Sequence, residues 1–162
     1  MRRGVGAVAG VVGGVLLLTG CGAIDLPLAA VRLGADGVPH ALIRPCGDDR
    51  IQGLSLTGTK ARDGSGKDLS GWWVRGKRRT GDAGFPLFSP LAEWRAHHTG
   101  TQRLVADYTY QLGFMKGEFN YEYSPTLTFR AADLAKLRPG QVWADDRVMS
   151  LGEFEKLAED SC

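Results

Sequence analysis

The sequence predicts a mainly β protein: an antiparallel β-sandwich or open barrel, with an immunoglobulin-like arrangement as one form, finished by a C-terminal α-helix. Three observations carry this. Between residues 103 and 114, Leu104, Ala106, Tyr108, Tyr110, Leu112 and Phe114 fall on one face of an extended chain. Arg103, Val105, Asp107, Thr109 and Gln111 fall on the other, the alternation of a half-buried strand. Met115, Lys116 and Gly117 then turn the chain. Phe119, Tyr121 and Tyr123 alternate with Glu118, Asn120 and Glu122, which makes a hairpin with aromatic rungs. Last, Ser150 precedes Glu153 at capping-box spacing, and Leu151, Phe154, Leu157 and Ala158 line one apolar helix face.

The other elements follow in order. Residues 38–44 read as a first strand, with Pro39 placing it at an edge or a strand start. Pro45 and the Cys46-Gly47-Asp48-Asp49 stretch end it in a turn. Residues 51–59 read as a second strand, with Leu54 and Leu56 on one face. Residues 60–70 form a polar loop. Residues 72–75 form a third strand, whose consecutive Trp72 and Trp73 must point to opposite faces. Residues 76–84 read as a second polar loop and 86–88 as a short strand. Pro90 opens a helical turn that Gly100 ends. Strand character resumes at 127–129, a short helical turn spans 131–137, and a last strand spans 141–144. A Trp-bearing third strand after two short ones fits an immunoglobulin-like order. The Cys…Trp…Cys framework of that fold is absent.

The N-terminus is an export signal. Arg2 and Arg3 precede an uncharged run over residues 5–18. That run has h-region length and falls short of the ~20 residues of a membrane-spanning helix. Leu18, Thr19, Gly20 and Cys21 resemble the lipobox of bacterial lipoproteins. The resemblance implies that the Cys21 sulfur carries a diacylglycerol and that the signal is cut just before it. With the Gly, Ala and Arg bias, the chain resembles small lipoproteins of high-GC Gram-positive bacteria. The expected organisation is a signal peptide over 1–20, a lipidated tether over 21–36 and a single β-rich domain over 37–162. Its expected place is the extracytoplasmic face of the cell membrane.

Removing Arg2 and Arg3 with the signal takes the chain from 20 basic and 18 acidic residues to 18 of each. Global charge therefore gives no argument for nucleic acid as a partner. With Cys21 assigned to lipid, Cys46 and Cys162 are an even pair in an oxidising compartment, where a disulfide is the default. The rival readings are free thiols or a metal site, and neither has CxxC or HxxxH spacing in its support.

Chemistry-bearing motifs are sparse. Glu93 and His97 would share a face if helical, with His98 beside them. Two ligands without an HExxH do not make a metal site. No GxSxG occurs. Gly64, Ser65, Gly66 and Lys67 lack the full spacing of a phosphate loop, and Asp68 stands where Ser or Thr is needed. Asp107, Glu118 and Glu122 read as a solvated strand face rather than as paired catalytic carboxylates. The tyrosines Tyr108, Tyr110, Tyr121 and Tyr123 read as core rather than as a ligand groove. The best local electrostatic feature is Arg75, Lys77, Arg78 and Arg79, suited to an anionic phospholipid or wall polymer or simply to guarding a sheet edge. The expectation is a non-catalytic binding or assembly module of the cell envelope, with no cofactor. Its partners would be the membrane through the lipid and an envelope protein or wall polymer. The other class is a small envelope hydrolase.

Overall fold

A computed structural model describes residues 24–60, 70–116 and 123–162. Two five-stranded antiparallel sheets stack face to face, and a helix lies on the outer face of one. The first sheet contains β1 (Ala29–Leu33), β2 (Pro39–Ile43), β5 (Ala83–Pro86), β9 (Gln141–Ala144) and β10 (Arg147–Ser150), in the order β10-β9-β1-β2-β5. The second contains β3 (Arg50–Lys60), β4 (Ser70–Thr80), β6 (His97–Gly100), β7 (Tyr108–Met115) and β8 (Thr126–Arg130), in the order β6-β4-β3-β7-β8. Each sheet keeps two edges, so the structure is a sandwich and not a closed barrel. Two helices complete it, the single turn α1 (Ala131–Leu134) and the terminal α2 (Leu151–Ser161).

Register sorts the second sheet into two faces. Trp72, Leu56, Leu112 and Leu127 are cross-strand neighbours in one inward row, and all are buried. Gly58, Tyr110 and Phe129 form the next row, the two rings stacked at 5.6 Å. Gly58 makes room for this, because a Cβ there would lie 2.5 Å from the Tyr110 ring. The tyrosine hydroxyl then closes a corner. It accepts a hydrogen bond from the Val105 N–H at 2.9 Å and donates to the Arg103 carbonyl at 3.0 Å.

The first sheet is buried on its inner face and partly covered by α2 on its outer face. Val31, Ala41, Phe85 and Trp143 share its inner face, Phe85 meeting Trp72 edge-on and Trp143 donating its indole N–H to the Thr128 carbonyl. Ala30, Leu42, Val142 and Met149 share the other face, where α2 lays down Phe154 and Ala158. Burying Phe154 fully contributes about 1.5–3 kcal/mol. Ser150 caps this helix. Its Oγ accepts the Glu153 N–H, and the Glu153 carboxylate accepts the Ser150 N–H at 2.7 Å. Cys162 at its end is disulfide-bonded to Cys46 after β2, with the two Cα atoms 5.3 Å apart. Arg44 reinforces the clamp. It reaches Glu155 on the helix at 3.2 Å and Asp82 at 3.3 Å, and its guanidinium lies over the Phe154 ring.

Several expectations change. Residues 29–33, read as part of a tether over 21–36, are a central strand, and Ala29, Ala30 and Val31 are fully buried. The domain therefore begins before residue 37. Ile24 already bridges Tyr123, and the Asp25 carboxylate accepts the Thr126 N–H. The expected loop over 76–84 is largely strand, because β4 runs to Thr80 across a bulge opposite residues 51–53. The expected short strand over 86–88 lies at 83–86, as β5. The strand expected over 103–114 begins at Tyr108, and the residues before it form the tyrosine corner instead.

The immunoglobulin-like expectation meets a mixed outcome. The order β8-β7-β3-β4-β6 repeats the neighbour relations of the G-F-C-C′-C″ sheet, and β1-β2-β5 those of A-B-E. Tyr110 stands where that fold places its corner tyrosine, on the strand equivalent to F. Three features depart from the fold: the tryptophans expected on the third strand lie on β4, the fourth, β5 precedes β6 in the chain, and β9 and β10 extend the first sheet beyond β1.

Candidate functional site

The two outer faces of the sandwich differ. The outer face of the first sheet carries α2 over its β9 and β10 side. The outer face of the second sheet carries the outward residues of β6, β4, β3, β7 and β8, and at its β4 end stands an exposed large hydrophobic side chain, Trp73, at 47% exposure. Its neighbour Trp72, at 2%, points into the core and donates its indole N–H to the Leu87 carbonyl. The expected division of the tryptophan pair between faces is what the structure shows.

Cross-strand register orders this face in rows. One row runs His97, Trp73, Ser55, Gly113 and Thr126 from edge to edge. The next runs Thr99, Gly71, Thr57, Gln111 and Thr128. At ~4.8 Å per strand, each row spans about 19 Å. Arg75 follows Trp73 on the same side of β4, and Arg130 lies at the far end of β8. Among the described residues, no Asp or Glu occupies an outward position of these strands. The face is thus aromatic at one end, hydroxyl- and amide-bearing across the middle, and cationic where it is charged.

Trp73 is held in place by its strand partner. The His97 ring lies against it with centroids 4.2 Å apart and planes 14° from parallel. The four-residue β6 that carries His97 is short and exposed, and it is tied down from behind. Gln102 donates its amide to the Gly71 carbonyl at 2.8 Å and the Thr99 carbonyl at 3.0 Å, and its Oε1 accepts from His98 Nδ1. Gly71, just before the tryptophans, has φ +124, and a Cβ there would fall 1.9 Å from the Leu56 carbonyl oxygen. Only glycine permits this approach of β4 to β3. His97 stands on the β6 side of Trp73, and on the other side the same row continues with Ser55 of β3 and Gly113 of β7, which have little or no side chain.

The remaining sequence candidates are distributed as follows. Glu93 and His97 do not share a helix. His97 is in β6, while Glu93 pairs with Arg79 at 3.0 Å. Among the described residues no group of three His, Cys, Asp or Glu side chains is spaced to hold a metal. Of the basic four, Arg79 is engaged by Glu93 and the Asp82 carbonyl, so it is not a free cation. Arg75 and Arg78 are exposed, and the Lys77 side chain lies outside the described ones. Tyr110 and Tyr123 are buried, as core residues. Asp107 is exposed in the turn before β7. Cys21, the 64–67 stretch, Glu118, Tyr121 and Glu122 lie outside the described residues. Sequence reasoning missed His97 as the support of Trp73, because β6 lacks any alternation that marks a strand. No helix among the described residues is long and apolar enough to cross a membrane. Comparison with known proteins gives no match: no family model, no curated protein and no solved structure resembles this chain significantly.

Proposed function

We propose that this protein is a lipid-anchored extracytoplasmic lipoprotein that acts as a non-catalytic binding module of the cell envelope. The observation that carries the binding half is the asymmetry of the sandwich. One outer face carries α2, clamped by the Cys46–Cys162 disulfide, over Ala30, Leu42, Val142 and Met149, and the other has no such helix among the described residues and presents Trp73 on a polar sheet. The half-exposed indole, stacked on the His97 imidazole, offers a flat apolar contact on an otherwise polar face. The lipobox-like Leu18, Thr19, Gly20 and Cys21 support the anchoring half.

The docking of Ile24 and Asp25 onto β8 gives the anchor a geometric consequence. Only residues 22 and 23 separate a lipidated Cys21 from Ile24. At ~3.5 Å per residue, the domain then sits within about 10 Å of the bilayer surface. Tyr123 precedes β8, so the pole nearest the membrane is the one that carries the start of β8 and the ends of β4 and β7. The open face stands beside the bilayer and is not pressed onto it.

Fractionation tests the anchor. The wild-type chain should partition with membranes, and Cys21→Ser should be released or remain as uncleaved precursor. Membrane-bound mature protein in that variant would refute it. Co-sedimentation of the Cys21→Ser chain, which has no lipid anchor, with isolated envelopes tests the binding half, the further substitutions being made in that chain. Trp73→Ala should lose it and Lys156→Ala, on the exposed side of α2, should keep it.

A further inference from the structure

We infer that the open face of the second sheet binds an anionic polysaccharide, with a pyranose ring seated against the exposed part of the Trp73 indole and a carboxylate on Arg75. This rests on reading that face as a binding surface. The indole supplies a flat π face whose partial negative charge suits the C–H groups of a sugar ring. Its other face is taken by His97, so a ring has one place to stack. On the side away from His97, Ser55 of β3 and Gly113 of β7 continue the same row and leave the floor low. Thr57 and Gln111 in the adjacent row offer a hydroxyl and an amide, each able to donate and accept. Sugar hydroxyls need both capacities, and a row of them about 19 Å long matches several residues of a linear chain.

Charge complementarity selects the anionic class. Arg75 and Arg130 are placed outward on these strands, and none of the five strands carries an Asp or Glu. The guanidinium fork suits bidentate contact with a carboxylate. Acidic residues elsewhere would repel the same polymer. They are concentrated on α2 and at the strand ends, so the face is oriented for one-sided attachment.

Affinity electrophoresis of the full chain in detergent tests this with three gel-embedded probes. Polygalacturonate offers both the ring and the charge, dextran the ring alone and polyglutamate the charge alone. Polygalacturonate should retard the protein. The retardation should fall at least tenfold for Trp73→Ala, for His97→Ala and for Arg75→Gln, with circular dichroism spectra unchanged, and Lys156→Ala should behave as wild type. Retardation by polyglutamate as strong as by polygalacturonate would overturn the inference, as would equal retardation by dextran. If polygalacturonate fails while envelope co-sedimentation still depends on Trp73, the glycan assignment is wrong and the face binds an envelope protein. If both are indifferent to Trp73→Ala, the binding-face reading fails as well.

Discussion

Trp73 of β4 and His97 of β6 are cross-strand partners whose rings lie 4.2 Å apart and nearly parallel on the uncovered face of the sandwich. Trp72, one residue earlier, is at the centre of the core. The two adjacent tryptophans should therefore separate stability from binding. Trp72→Ala should cost about 3–5 kcal/mol by denaturant unfolding, the range for an aromatic core deletion. Trp73→Ala should cost under ~1 kcal/mol, because half of the ring is already in water. Equal losses at the two positions would show that Trp73 is a packing residue.

The disulfide should act on the helix more than on the sheets. Cys46 and Cys162 close a loop with sequence separation 116. The chain-entropy limit for such a loop is ~5 kcal/mol, and measured values run about 2–5 kcal/mol. Cys162→Ser should lower stability within that range. Native-state hydrogen exchange should show α2 losing protection first, while β3 and β7 keep theirs.

The tyrosine corner gives a smaller effect of definite sign. Tyr110→Phe keeps the stacked ring and removes only the hydroxyl, leaving the Val105 N–H and the Arg103 carbonyl without that partner. The expected loss is about 1–3 kcal/mol, read from the midpoint of urea unfolding at unchanged slope. Gly71→Ala should cost more than about 2 kcal/mol, because it combines an unfavourable φ with a backbone collision.

Acid should loosen the ends of both helices. Hydrogen bonds from the Ser150 side chain first, and from its backbone N–H second, hold the Glu153 carboxyl below its usual range. The Lys136 side chain does the same for Asp133. Carboxyls depressed in the folded state contribute stability that is present above their ordinary value and lost as pH falls through the lowered one. Stability should thus decline on the acid side of the ordinary carboxylate range. Glu153→Gln should flatten that decline, and Ser150→Ala should lower stability at neutral pH by about 1 kcal/mol. Stability curves that superimpose for wild type and Glu153→Gln would contradict the capping role.

How legible each element was follows from its surroundings. The alternation of Tyr110, Leu112 and Phe114 could be read because β7 has one wet face and one dry face. The capping box of α2 could be read because it is local chemistry. β1 was hidden for the opposite reason. Ala29, Ala30 and Val31 are buried in succession between the second sheet and α2, with Arg32 the exposed residue, and such a run gives no period. β10 was hidden by its turn, where Asp145 and Asp146 take positive φ at positions that usually call for Asn or Gly. The binding face was half legible. The Trp72–Trp73 pair required one outward ring, but nothing local in residues 97–100 showed that His97 would brace it. The basic run was legible as composition, yet the partner of Arg79 is Glu93, fourteen residues on, and that pairing exists only in the fold.

The central claim is that the second sheet's outer face is covered in the cell and bare in the isolated protein. Maleimide labelling of single cysteines tests it most directly. Gln111→Cys places a thiol in the middle of the open face, and Lys156→Cys places one on the exposed side of α2. In purified protein both should label. In intact cells Lys156→Cys should still label, while Gln111→Cys is shielded and regains reactivity when Trp73→Ala is added. Equal labelling of the two positions in cells would contradict the account.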